Sequence, residues 1–114
     1  KKYKIPKYRS NIFETYFGGL NPCVLDIETT GLSPSRSKII LIGLLIETDD
    51  GLEITQFFAE TFEDERDILI ATQNYLNKNN IGYLVTFNGD RFDIPFLNSR
   101  LVSYSVKCYL CQEF

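Results

Sequence analysis

The 114-residue chain predicts an α/β fold built on a mixed sheet, in the order β-β-β-α-β-α. Three observations carry that expectation. Three short apolar runs follow one another with turn residues between them, one stretch then switches to helical periodicity, and a further apolar run returns after it.

The first run, residues 23–27, is apolar apart from Asp26 and reads as a central strand buried on both faces. Thr29-Thr30-Gly31-Leu32-Ser33-Pro34 breaks it. Residues 39–46, Ile-Ile-Leu-Ile-Gly-Leu-Leu-Ile, form the second strand, Asp49-Asp50-Gly51 turns the chain, and residues 53–59 form the third. These three predict an antiparallel meander. From residue 64 to about residue 78 the apolar positions Ile68, Ala71, Tyr75 and Leu76 fall on one helical face, and Asn79, Asn80 and Gly82 stop the helix. Residues 83–87 return as a strand parallel to a neighbour, because a helix separates the two. A loop at residues 88–90 leads to a short helix near Asp93, with Pro95 in its first turn and Phe96, Leu97 and Leu101 facing inward. Beyond Leu101, Val102, Tyr104 and Val106 alternate. Ahead of the sheet, Asn11 and Glu14 have capping-box spacing for a short helix to about Phe17, ended by Gly18-Gly19. The chain thus divides into a basic segment, 1–22, and a domain, 23–114.

At 44% hydrophobic and 24% charged residues the composition is that of a globular domain, and no apolar run is long enough to span a bilayer. Three cysteines, an odd count, argue against a disulfide framework and fit a cytoplasmic protein; Cys108-x-x-Cys111, with no second pair and no histidine in the chain, reads as two small hydrophobes. The net charge of −3 is uneven: the first nine residues hold five of the twelve Lys and Arg and no acids, so the remainder sets seven basic against fifteen acidic groups, a net −8. Such a body repels a phosphate backbone unless cations intervene. The basic start reads as a solvated terminus, or, with Tyr3 and Tyr8 interleaved, as an arm that grips a nucleic-acid strand.

Asp26 and Glu28 are the informative pair. Two residues apart on a strand, they point the same way with roots roughly 6.6 Å apart. In a buried strand Asp26 needs a compensating cation, and no Lys or Arg follows before Arg36 and Lys38. A divalent cation supplies one, since Mg²⁺ and Mn²⁺ take carboxylate and phosphate oxygens. Capping of the turn by the two side chains is the other reading. Asp93, which follows the last strand, reads as either a helix N-cap or a third ligand. Parallel pairing of that strand with the first brings all three acids to one sheet edge, where ligands of α/β sheets collect.

The element order is that of the ribonuclease-H-like fold without its last strand and helix. Val24-Leu25-Asp26-Ile27-Glu28-Thr29-Thr30-Gly31-Leu32 resembles the first motif of the DEDD (DnaQ-like) 3′–5′ exonuclease superfamily. Phe87-Asn88-Gly89-Asp90-Arg91-Phe92-Asp93-Ile94-Pro95-Phe96-Leu97 resembles its second. The wording is most similar to the predicted-exonuclease branch called YprB-like, with kinship to the proofreading domains of family B polymerases. The resemblance implies that Asp26, Glu28 and Asp93 hold two divalent cations, Mg²⁺ or Mn²⁺, with Glu28 near the attacking water. It further implies that Thr29, Thr30, Gly31 and Leu32 meet the 3′-terminal nucleotide of DNA or RNA, and that Asn88 and Phe92 position the strand behind it. Plainer readings make Leu32 a turn-packing residue and Phe92 a core aromatic.

The chain departs from the family at the third motif, where a Tyr or His precedes the fourth carboxylate by four residues. There is no His, Tyr104 has no Asp four on, and Tyr109 with Glu113 lies too close to the second motif. The expectation is a domain truncated before its last strand and helix, weak or inactive by itself, with the strand at 83–87 open to self-association along its edge. The other functional classes are a non-catalytic nucleic-acid-binding or regulatory module and a structural interaction domain.

Overall fold

The structure is a computed structural model and describes residues 2–6, 21–86 and 92–105. Five strands, β1 (Lys2–Pro6), β2 (Asn21–Thr29), β3 (Ile39–Thr48), β4 (Gly51–Phe58) and β5 (Ile81–Val85), form one mixed sheet in the order β1-β4-β3-β2-β5. The helices are α1 (Glu65–Lys78), preceded by a 3₁₀ turn (Phe62–Asp64), and α2 (Ile94–Ser103). The predicted meander is present: β2 pairs antiparallel with β3 and β3 with β4. The predicted crossover is present too, with β5 parallel to β2 and Cys23 opposite Leu84.

Alternation along the strands decides which face is covered. Cys23, Leu25 and Ile27 of β2 and Ile42, Leu44 and Ile46 of β3 are buried, and they pack with Ile68, Leu69, Tyr75 and Leu76 of α1 and Phe96, Leu97 and Leu101 of α2. Burying each of those large side chains stabilises the fold by about 1.5–3 kcal/mol. Tyr75 also ties α1 to β4: its hydroxyl donates to Glu53 at 3.1 Å and accepts from Thr55 at 3.2 Å, and its ring meets Phe57 edge-on. Burial pushes the Tyr75 hydroxyl up to about 12. Thr61 and Asp64 close the entry to α1, where Asp64 accepts from the Thr61 N–H. Asn80, with φ of 52°, turns the chain out of α1 in the left-handed conformation that Asn tolerates.

Three expectations need correction. The first strand is not buried on both faces: both helices lie on the Cys23, Leu25 and Ile27 side, leaving Asp26 and Glu28 exposed on the other. The basic start is not a free arm over residues 2–6, which pair antiparallel with β4 from Lys2 opposite Thr55 to Pro6 opposite Gly51. A strand edge offers a ladder of backbone groups that a neighbouring segment satisfies, and Pro is tolerated at such an edge. Val102 and Tyr104 do not alternate as in a strand; Val102 lies in the last turn of α2 and Tyr104 caps it, because helical hydrogen bonding continues past Leu101. The helix expected before Phe17 and the pair Cys108 and Cys111 lie outside the described residues. Cys23 is buried, which pushes its thiol up to about 12 and leaves it a small hydrophobe.

Candidate functional site

β2 delivers two carboxylates to one place. Strand parity puts Asp26 and Glu28 on the same exposed face, opposite Gly43 and Leu41 of β3, and the register slips by one residue just beyond Glu28. Bulges of this kind sharpen the local twist and re-aim the side chains beside them. Asp93 arrives from the neighbouring strand's connection, one residue ahead of α2. Asp93 is only 7% exposed, and burial together with the charge of Asp26 raises its carboxyl above the ordinary 3.8. Two acids from different elements therefore feel each other at the end of the two parallel strands.

The turn after β2 is closed by its threonines. The Thr29 hydroxyl donates to the Gly31 carbonyl at 2.6 Å, the Thr30 hydroxyl oxygen accepts from the Lys38 N–H at 2.9 Å, and the Thr30 N–H donates to the Lys38 carbonyl at 2.9 Å. Asp93 stands at the N-cap position but with helical φ and ψ of −61° and −51°, and its side chain makes no cap hydrogen bond. A cap residue ordinarily takes extended dihedrals and accepts from the first turn, so the capping reading of Asp93 fails.

Leu32 is 85% exposed at the tip of the turn, so it is not a turn-packing residue. Phe92 packs against the core and stacks on Phe96 at 5.3 Å, as a core aromatic does. Gly31 presses on Ser37: a Cβ there would stand 2.5 Å from the Ser37 hydroxyl oxygen. Asn88 lies outside the described residues.

The donor set fits a hard cation. Mg²⁺ is held by one or two carboxylates, several waters and substrate phosphates, and the pair of Asp26 and the buried Asp93 offers that. Among the described residues no three His, Cys, Asp or Glu side chains stand close enough to enclose an ion by themselves.

Sequence reading missed a second polar cluster beneath the turn. Glu65, at 0% exposure, accepts from Arg100 Nε at 2.9 Å, from Arg100 Nη2 at 2.6 Å, from the Ile39 N–H at 2.6 Å and from the Tyr104 hydroxyl at 2.5 Å. Burial works to raise the Glu65 carboxyl, but hydrogen bonds from Arg100, Tyr104 and Ile39 outweigh it and hold the group below its ordinary 4.5. The one signal in the sequence was spacing: Glu65 stands three residues before Ile68 and four before Leu69, a charge on the apolar stripe of α1.

The chain belongs to the RNase H superfamily, whose family model matches residues 23–112. Among the solved structures that resemble it is the family B DNA polymerase from the hyperthermophilic archaeon Pyrobaculum calidifontis, with 25% identity and a TM-score of 0.65. That match covers 76% of this chain and 11% of the polymerase, so the chain corresponds to a small part of that protein's length. No protein with a curated description matches by sequence. The superfamily and the ribonuclease-H-like fold together support a nuclease-type function on nucleic acid in general. No helix among the described residues is long and apolar enough to cross a membrane.

Proposed function

We propose that this chain carries the metal-binding portion of a 3′–5′ exonuclease of the DEDD type, acting on the 3′ ends of DNA or RNA in the cytoplasm. The observation that carries the reading is that buried Asp93, which follows β5, feels the charge of Asp26 on the adjacent parallel strand β2, both within segments that resemble that superfamily's motifs. A buried carboxylate beside a second acid is costly to ionise, and an incoming cation relieves that cost. Asp26, Glu28 and Asp93 would hold two divalent cations, Mg²⁺ or Mn²⁺. Such ions lower the pKa of water and stabilise the attacking and leaving oxygens of an in-line displacement.

The chain's own residues do the rest. Glu28, one strand repeat from Asp26 on the same face, accepts a hydrogen bond from the attacking water. The turn at residues 29–32 meets the terminal nucleotide, with backbone groups for its sugar and exposed Leu32 for the face of its base. Asn88 and Phe92 position the preceding nucleotide. The cations also answer the charge objection, because phosphate enters only after the carboxylates are neutralised. β5 has one neighbour among the described residues, and its other edge is the place for self-association.

The test pairs metal titration with a nuclease assay on the intact gene product. A 5′-labelled single-stranded oligonucleotide is expected to shorten from its 3′ end with Mg²⁺ or Mn²⁺, and Asp26→Ala is expected to abolish this. Metal-binding without cleavage in the intact protein would favour the non-catalytic module. Digestion that survives both EDTA and Asp26→Ala would refute the metal-dependent reading.

A further inference from the structure

The buried cluster lies directly under the turn that the proposed function assigns to the terminal nucleotide. Its contacts run to both sides of that turn. Arg100 Nη1 donates to the Pro34 carbonyl at 2.9 Å while Arg100 Nε and Nη2 grip the Glu65 carboxylate. Oε2 of that carboxylate, which Nε also reaches, accepts from the Ile39 N–H at 2.6 Å, where the turn re-enters the sheet. One guanidinium fork thus straps Pro34 to α2, and one carboxylate straps Ile39 to α1. Between them Ser33 accepts from the N–H groups of Arg36 and Ser37, and Ser37 backs Gly31. The two straps are nearly dry, with Arg100 12% exposed and Glu65 fully buried.

We infer that Arg100, through Glu65 and the Pro34 carbonyl, is a positioning residue that holds the turn at residues 29–38 beside Asp26 and Glu28 and so sets affinity for the 3′-terminal nucleotide. The inference rests on the nuclease reading for its substrate and on the hydrogen bonds alone for its mechanics. Arg100 touches neither carboxylate of β2, so its effect falls on binding of the strand end and not on metal or chemistry. A lysine keeps the charge beside Glu65, but a point-like ammonium cannot serve the carboxylate and the Pro34 carbonyl together.

Arg100→Lys is compared with Tyr104→Phe, which removes one hydrogen bond to Glu65 and leaves the Pro34 contact in place. Arg100→Lys is expected to raise KM for a single-stranded 3′ end by about tenfold, with kcat and Mn²⁺ affinity within about twofold of wild type. Amide exchange across residues 30–38 is expected to rise by about tenfold or more in that variant, and KM is expected to stay within about twofold in Tyr104→Phe. An equal rise in KM in both variants means general loosening and overturns the inference, as does unchanged exchange at residues 30–38 in Arg100→Lys. Should Arg100→Lys fail to fold, wild type alone decides: the Ser37 and Ile39 amides must exchange only through global unfolding, and local opening there overturns the strap. An intact wild-type gene product that binds Mn²⁺ and cleaves no 3′ end refutes the nuclease reading and the affinity claim with it, while the exchange result still decides whether the turn is held.

Discussion

Two buried carboxylates in this molecule are moved in opposite directions. Glu65 is fully enclosed, yet it is held below its ordinary 4.5 because Arg100, Tyr104 and the Ile39 N–H surround it with donors. Asp93 is slightly less enclosed and is raised above 3.8, because burial and the charge of Asp26 both disfavour its ionised form. Burial acts on both alike, so the neighbours decide the outcome. The first site is complete within the chain and stabilises the fold. The second has no cationic partner among the described residues, and a functional group is expected to look like that.

The largest effect that can break this contrast is on the closed site. Arg100→Leu leaves Glu65 buried without its cation, and unfolding free energy is expected to fall by about 3–5 kcal/mol. Urea titration followed by circular dichroism measures it, and a loss under about 1 kcal/mol would mean that the pair is dispensable.

Acid titration separates the two sites by sign. Glu65 has a depressed folded pKa, so its contribution is present above 4.5 and is lost as pH falls through the lower folded value. Asp93 has a raised folded pKa, so its contribution is full below 3.8 and is lost as pH rises through the folded value. Melting temperatures of wild type and Glu65→Gln from pH 7 down to about 3 should converge on the acid limb. Parallel curves would show that Glu65 does not govern acid stability.

Asp93→Asn sharpens the comparison from the open side. Without divalent cations at neutral pH it is expected to stabilise the fold by about 1 kcal/mol, since a buried charge beside Asp26 is removed. The same substitution should erase the rise in melting temperature that Mn²⁺ gives wild type by binding the folded state. A variant that loses stability while keeping the Mn²⁺ effect would place the cation elsewhere.

The smallest effect lies where the two regions meet. Gly31→Ala brings a methyl group against the Ser37 hydroxyl, which can rotate away, so a loss of about 1 kcal/mol or less is expected. Adding Ser37→Ala should recover most of it, and strict additivity of the two changes would deny the contact.

Much of this architecture was legible in the residues themselves. Period-two and period-3.6 patterns are local properties, so the meander, the α1 face with Ile68, Tyr75 and Leu76, and the parallel return beside β2 could all be read from spacing. Topology was expected to bring Asp26, Glu28 and Asp93 to one sheet edge; Asp93 feels the charge of Asp26, while among the described residues no three acids stand close enough to enclose an ion. What spacing could not give was which face of β2 the helices would cover. That choice exposed Asp26 and Glu28 where burial had been expected.

The chain by itself determined the order of elements from β2 onward, the carboxylates and the turn chemistry of Thr29-Thr30-Gly31, since each depends on residues a few positions apart. Only the tertiary structure decided that Lys2–Pro6 joins the sheet at β4, that Asp93 does not cap α2, and that Glu65 finds Arg100 thirty-five residues away. Those outcomes are contacts between distant segments. A buried charge or a strand edge acquires its partner only when packing chooses which distant segment lies against it.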